Sequence, residues 1–440
     1  MVPPFVNWAG NVRSQPTAWA APADEAEARA LVRAIRARRG RLRVHGARHS
    51  WSPIAASDDV QVSLERMNRV VSVQQSARTV TVQGGCRLAT LNRALAARGL
   101  ALPILGSIAE QTLSGAIATG THGSSLRHGN LSTFVERLRL VDGRGEVVEL
   151  AGDDPRLAGA RVHLGALGVV TEVTLRVVPA FGLVETLVRL PIEEAAARLA
   201  QLSLDHEYLK VWWYPPSEEV GLFTLARGPA DSRRAFAGIA WEAAANAVLF
   251  PSILAATRRD PSLIVPLNRA IDRVHLRPAV RTGRSDEIFL LAVPPRHRET
   301  ELAFPAHRAG EALLALRDLV RDTGARLDFL SELRFVRGDD GWMSPAHGRD
   351  TCQLGVYATH SPDATRAFAD FATLGRRWDA RPHWGKEGSF THEAISRTYP
   401  RAEVFRALAR AFDPDGVFRN GFLDAVLGPV DLAGRGTEAT

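Results

Sequence analysis

The feature that most constrains this chain is the run Ser114-Gly115-Ala116-Ile117-Ala118-Thr119-Gly120-Thr121-His122-Gly123-Ser124-Ser125, where only Ile117 and His122 carry bulky side chains. Such a stretch leaves its backbone N–H groups uncovered, and successive uncovered N–H groups form a concave nest for an anion. The hydroxyls of Thr119, Thr121 and Ser124 add donors. Two further stretches share this texture. Val44-His45-Gly46-Ala47-Arg48-His49-Ser50 follows a strand-like run, and Gly165-Ala166-Leu167-Gly168-Val169-Val170 leads into another. One such loop is also what an ordinary tight turn uses. Two long ones in the same half of the chain suit a pyrophosphate, which needs many donors at once. None of the three is a GxGxxG fingerprint in a βαβ setting, which disfavours a nicotinamide-binding Rossmann domain.

The rest of the composition narrows the class. A chain of 440 residues exceeds the usual size of one domain, so two are expected. Lys plus Arg number 55 against 48 Asp plus Glu, a net charge of +7. The arginines are scattered (33–43, 258–259, 273–284, 376–381) and not interleaved with aromatics, which reads as solvated faces and not as a nucleic-acid surface. The two cysteines, Cys86 and Cys352, form no paired motif, so a reducing compartment is expected, with no disulfide framework and no metal site. No secretory signal opens the chain, and its longest uncharged apolar run, Ala243 to Thr257, is shorter than the roughly 18 residues of a spanning helix. A cytoplasmic protein is expected. That run reads first as a buried helix, with weak contact to a membrane surface as the alternative.

Periodicity predicts a helix over Asp24–Arg39, acidic in its first turn and basic in its last. Strands are expected at Arg41–His45, Val60–Leu64, Val70–Gln74 and Thr79–Gln83, then a helix Arg87–Arg98 stopped by Gly99. A hairpin joins Phe134–Leu140 to Glu146–Leu150, and a strand Val169–Val178 ends at Pro179. After Pro179 the texture changes. Strand-like Leu183–Leu190, a helix from Ile192, an aromatic strand Lys210–Tyr214 and a helical middle lead to strand-like Phe289–Val293, helix Glu311–Thr323 and strand Arg326–Phe335. A further strand, a helix from about Asp363 and a final helix Glu403–Phe412 precede a frayed tail from about Pro429.

The loops Gly46 to Ser50 and Ser114 to Gly123 resemble the flavin domain of the vanillyl-alcohol-oxidase superfamily, whose FAD domain is of the PCMH type. Arg381-Pro382-His383-Trp384-Gly385-Lys386 and Phe412-Asp413-Pro414-Asp415-Gly416-Val417-Phe418 are similar to the sugar-1,4-lactone and alditol oxidases within it. The resemblance runs from Asn7-Trp8-Ala9-Gly10-Asn11 to Leu427. It implies an α+β fold: a two-subdomain FAD-binding domain over 1–178, to which a tail from about 395 returns, and a substrate domain over 179–394 with an antiparallel sheet flanked by helices. It implies FAD as cofactor, bonded covalently to His49, a step for which a neutral imidazole is a competent nucleophile. It further implies flavin contacts from Gly46, Ala47, Arg48, Ser50, Ser107, Ser114, Gly115, Ala118, Thr119, Gly120, Thr121, His122, Gly123, Gly168, Val169, Val170 and His383.

On the substrate side, Glu332-Leu333-Arg334 matches the family's Glu-x-Arg element, and strand alternation puts Glu332 and Arg334 on one face. Arg334 and Lys386 would hold a developing alkoxide, and Glu332 would accept the proton or position the substrate. Read without the resemblance, Glu332 and Arg334 are an ordinary ion pair and Lys386 a surface residue. Ser107 matches a serine near flavin and substrate in alditol oxidases. Gly106 stands where related dehydrogenases carry an alanine that restricts dioxygen, which implies an oxidase that reduces dioxygen to hydrogen peroxide. Tyr357 replaces a substrate-contacting threonine of the alditol oxidases. Phe236 to Arg273, with Trp241-Glu242, Phe250-Pro251 and Asn268-Arg269, resembles the helical insert of the gulonolactone oxidases. Both features favour a lactone substrate, with a polyol as the alternative.

Overall fold

The computed structural model describes residues 2–230, 245–291, 294–359 and 362–428. The chain forms an α+β structure around three main sheets. The first is parallel, with Val60–Ser63 between Ala18–Ala20 and Leu42–His45. Parallel neighbours need a crossover, and the helix Glu25–Ala37 supplies one. Asp24 caps it by accepting the Glu27 N–H, and Ala28, Val32 and Ile35 form its buried stripe. That stripe packs on Leu42, Val60 and Val62, and Val417 and Phe418 from the far end of the chain complete the cluster.

The second sheet is antiparallel, ordered Val147–Ala151, Val135–Val141, Val169–Arg176, Thr79–Gln83, Val70–Gln74. Helix Leu88–Ala96 buries Leu88, Leu91 and Leu95 and ends before Gly99, which takes the left-handed conformation at φ +66°.

The third sheet has eight antiparallel strands, ordered Ala279–Arg284, Gly182–Pro191, Glu219–Gly228, Tyr208–Trp213, Ser331–Val336, Thr351–Ala358, Arg298–Pro305, Arg381–Pro382. Its two faces differ. Leu209, Val211, Trp213, Leu333, Phe335, Leu354 and Val356 form an apolar face covered by the helices Ile192–Asp205 and Ala309–Thr323. The register pairs Lys210 with Arg334, Trp212 with Glu332, and Tyr357 with Glu299, so the opposite face is polar and also buried.

Four expectations are corrected. The small-residue run does not begin as a loop, because Leu113–Ala118 is a short helix whose Leu113, Ala116 and Ile117 enter the core. Phe289–Leu291 is not a strand: the Phe289 ring packs 5.0 Å from Tyr208, and the Leu291 N–H donates to the Ser107 carbonyl. The strand in that region is instead Arg298–Pro305. The strand expected from Arg326 starts only at Ser331, since the Leu327 carbonyl is taken by Asn268 and Asp328 accepts from Thr359. Within the apolar run, helix Phe250–Arg259 buries Leu254 and Thr257 while Val248 and Leu249 stay exposed. Phe236, Trp241-Glu242, Val293 and the tail from Pro429 lie outside the described residues. Among the described residues no helix is long and apolar enough to cross a membrane.

Arg43, only 2% exposed, ties these parts together. Its guanidinium donates to the carbonyls of Ile54, Leu164, Gly165 and Phe418, four points on three distant segments. Each carbonyl left unpaired by its removal costs about 1–3 kcal/mol. Arg43→Met is therefore expected to lower the urea midpoint strongly and to loosen the segment at Phe418, detectable as faster amide exchange there. A midpoint unchanged from wild type would show that the four carbonyls find other partners.

Candidate active site

The three small-residue stretches converge on one open cleft. Its walls include Gly46, Ala47, Arg48, His49, Ser50, Ser114, Gly115, Ala118, Thr119, Gly168 and Val170. The approach is as close as backbone allows. A Cβ on Gly46 would collide with Thr112 Oγ1, and one on Gly115 would lie 3.0 Å from the same atom. A Cβ on Gly168 would collide with the Val141 carbonyl oxygen. Arg48 takes φ +61°, uncommon for a residue with a side chain, and its carbonyl is pinned by the Trp8 N–H at 2.7 Å.

Other expected flavin contacts do not line this cleft. Gly120, at φ +73°, turns the chain against Val162 and Pro345, and Val169 is buried in the core beneath the parallel sheet. Thr121 and Gly123 pack against the loop that carries Ser107: a Cβ on Gly106 would meet Thr121 Cγ2 at 3.0 Å, and one on Gly123 the Leu105 carbonyl oxygen at 2.8 Å. The space beside Gly106 is thus partly filled by the Thr121 methyl. His122 and His383 turn to the polar sheet face, with their rings 5.6 Å apart.

His49 lies against Trp8, ring centroids 5.5 Å apart. Burial first, then Arg87 and Lys386, pull its pKa down to about 4, so the imidazole is neutral at pH 7 with a lone pair available. Lys386 is held nearby because its segment is strapped to the His49 loop. The Trp51 N–H donates to the Gly385 carbonyl and Ser52 Oγ to that of Trp384. The ammonium sits 4.3 Å over the Trp51 ring and is ion-paired with Glu299.

The polar face gathers the remaining groups. Glu332, 4% exposed, accepts from Trp212 Nε1 at 2.8 Å and from the Tyr357 hydroxyl at 3.0 Å. Burial pushes this carboxyl up, but Arg334 and then Lys210 hold it below its ordinary value. Tyr357 is pushed well above the usual phenol value by burial, Glu299 and Glu332, so it stays a donor. Arg334 donates to Glu301 at 3.0 Å and keeps its Nε 3.4 Å from Glu332. His297 stacks beside Tyr357, Trp8 and Trp51 and donates from Nδ1 to the Pro295 carbonyl, leaving Nε2 3.9 Å from Glu299. Sequence reasoning missed Glu299, Glu301, His297 and Trp212. The alternation of Glu299 and Glu301 ahead of Leu302-Ala303-Phe304 was the available signal of a strand with one charged face.

Residues 173–426 match the family described as D-arabinono-1,4-lactone oxidase, and residues 16–151 match the FAD binding domain family. The chain belongs to the D-arabinono-1,4-lactone oxidase family. It is 33% identical to the L-gulono-1,4-lactone dehydrogenase of Mycobacterium tuberculosis, over 98% of this chain and 100% of the relative. It is also 33% identical to the alditol oxidase of a Streptomyces species, over 96% and 98%. Its fold is that of the cholesterol oxidase of B. sterolicum, with a TM-score of 0.80 at 16% identity over 96% of each chain. This family member is an FAD-dependent oxidoreductase acting on CH–OH groups.

The cleft fits the cofactor on its own evidence. Thr112 Oγ1 and His163 Nε2 line it or stand at its wall, buried and without a hydrogen-bond partner. His163 Nδ1 accepts the Gly165 N–H at 3.0 Å, so the neutral ring carries its proton on Nε2, a donor waiting for an acceptor. Neither residue was singled out from the sequence. Gly168→Ala, which forces the Gly165–Val170 stretch away from Val141, is expected to yield protein with less than about a tenth of the wild-type FAD content. The ratio of flavin to protein absorbance measures it. Normal loading would show that this stretch does not shape the cofactor cleft.

Proposed function

We propose that this enzyme oxidises a sugar-1,4-lactone of the D-arabinono- or L-gulono- type, with FAD tethered covalently through His49 and dioxygen as the final acceptor. The observation that carries the reading is a neutral His49 in the wall of the cleft, near enough to Lys386 to feel its charge, with Lys386 in turn ion-paired to Glu299 on the polar sheet face. In this reading residues 1–178 form the flavin domain, 179–394 the substrate domain, and the tail from 395 rejoins the first.

Bound FAD supplies the hydride acceptor. The protein's part is position and charge. His49 brings an unprotonated ring nitrogen, which needs no prior deprotonation to act as the nucleophile in the tether. Gly46, Gly115 and Gly168 offer uncovered backbone for the diphosphate, Thr119 lines the same cleft with its hydroxyl donating to the Gly115 carbonyl, and Gly120, Thr121 and Gly123 shape the adjoining turn beside the loop that carries Ser107. Arg334 and Lys386 are fixed cations for the substrate oxygen as its proton leaves, and preorganised charges in a buried site stabilise such an oxygen strongly. Glu332, held ionised by Arg334, positions a substrate hydroxyl through its remaining lone pairs and is the carboxylate that takes up the departing proton. The rings of Tyr357 and His297, 5.5 Å apart, make an aromatic wall suited to a flat lactone. The second reading, a dehydrogenase using an acceptor other than dioxygen, is favoured by the Thr121 methyl beside Gly106.

Two measurements test this. Peroxide release should be fast with D-arabinono- and L-gulono-1,4-lactone and at least about tenfold slower with xylitol and sorbitol. Oxidation of polyols only would remove the lactone reading, and rapid dye reduction without oxygen uptake would favour the dehydrogenase. Acid precipitation should leave wild-type pellets yellow and His49→Ala pellets colourless; acid-stable colour in that variant would move the tether to another residue.

A further inference from the structure

Two hydrogen bonds determine the protonation of His122. Its Nδ1 lies 2.9 Å from the Gly123 carbonyl oxygen and its Nε2 lies 2.7 Å from Glu301 Oε1. Burial pushes Glu301 up, yet His122 and Arg334 outweigh it and hold the carboxyl well below its ordinary value. An ionised Glu301 has no proton to give. Both ring nitrogens therefore face acceptors, the Gly123 carbonyl and the Glu301 carboxylate, a geometry that calls for a hydrogen on each. The remaining oxygen of Glu301 accepts from Arg334 Nη2 at 3.0 Å. Two further groups face this carboxylate. His383, pushed down to about 3 by burial, accepts the Gly385 N–H at Nδ1 and is neutral, and Glu299 is neutralised by Lys386. His122, Glu301 and His383 each bring a ligand-type atom within 4.8 Å of the others. Nε2 and Oε1 are already joined by one hydrogen bond, with the hydrogen on Nε2 and the lone pair on Oε1, however, so a chain of charges describes them better than a metal site.

We propose that Glu301 is a positioning residue for hydride transfer. Clamped by the His122 ring on the flavin-side loop, it holds the Arg334 guanidinium in one orientation toward the reacting oxygen. The inference rests on the reading of Arg334 as the cation for that oxygen. Its geometric basis is the division of labour within the guanidinium. Nη2 is tied to Glu301, while Nε is buried and makes no hydrogen bond, with Glu332 3.4 Å away as its ion-pair partner. Without the charge of Glu301, the arginine is left with Glu332 alone and swings toward it. A displacement of about 1 Å in such a group costs on the order of 100-fold in rate.

The test uses the FAD-loaded protein. Anaerobic rapid mixing with L-gulono-1,4-lactone, and separately with xylitol, follows flavin bleaching in wild type, Glu301→Gln, Glu301→Asp and Arg334→Ala. Nitrogen-15 NMR of histidine-labelled protein at pH 8 reads the His122 ring, assigned by its loss in His122→Gln. Glu301→Gln should slow the limiting bleaching rate roughly 100-fold, with the half-saturating substrate concentration changed less than about threefold, and Glu301→Asp should recover part of the rate. His122 should carry two ring protons in wild type and one in Glu301→Gln. A wild-type rate in Glu301→Gln beside a slow Arg334→Ala would overturn the inference and leave the role of Arg334 standing. A wild-type rate in Arg334→Ala would overturn that role first. A singly protonated His122 ring in wild type would overturn the clamp independently of any rate.

Discussion

Burying charge is the constraint on which this structure turns. Glu299, Glu301 and Glu332 are each at most 4% exposed on one face of a sheet whose other face is apolar. A carboxylate taken out of water costs several kcal/mol unless a counter-charge in good geometry offsets it. Lys386, His122 and Arg334 provide those counter-charges, and they arrive from three different parts of the chain: the segment after Arg381–Pro382, the small-residue loop and the central strand. The acids thus oblige the flavin-side loops and the substrate sheet to sit together. The same desolvation that makes the cluster expensive makes its fields strong, which is what a reaction that develops charge on a substrate oxygen requires.

The cofactor side depends on a different economy. Gly46, Gly115 and Gly168 each occupy a place where a Cβ would meet a neighbour, so the three stretches close around a narrow cleft. Arg43 holds one of those stretches, the turn at Ile54 and the returning C-terminal segment by carbonyl contacts alone. Because it contacts backbone, it locks loop positions without restricting which side chains the loops carry.

Much of this was legible in the primary structure. The helix Glu25–Ala37 announces itself through Asp24 and its 28-32-35 stripe, where local pattern and tertiary burial agree, and the strands Val70–Gln74 and Thr79–Gln83 through their β-branched residues. The small-residue loops were recognisable for the same reason: glycine at a close approach leaves a mark in composition. The misreadings share a cause. Phe289–Leu291 and Leu327–Leu330 are apolar enough for strands, yet they are buried by packing against Tyr208 and by hydrogen bonds to Asn268 and Thr359, and no local pattern distinguishes those fates. Glu299 and Glu301 were missed because charged residues in a strand ordinarily face water.

What the sequence determined by itself was the family and the cofactor, since these are marked by residue types at short spacing. Tertiary structure alone decided which groups of the site are charged and where they point. His49 is neutral because it is buried beside two cations, Glu332 is ionised because Arg334 stands next to it, and His122 faces a carboxylate while His383 accepts a backbone N–H although both are buried histidines. Protonation follows from the groups that surround a side chain in space, and those neighbours come from strands and loops separated by up to hundreds of residues.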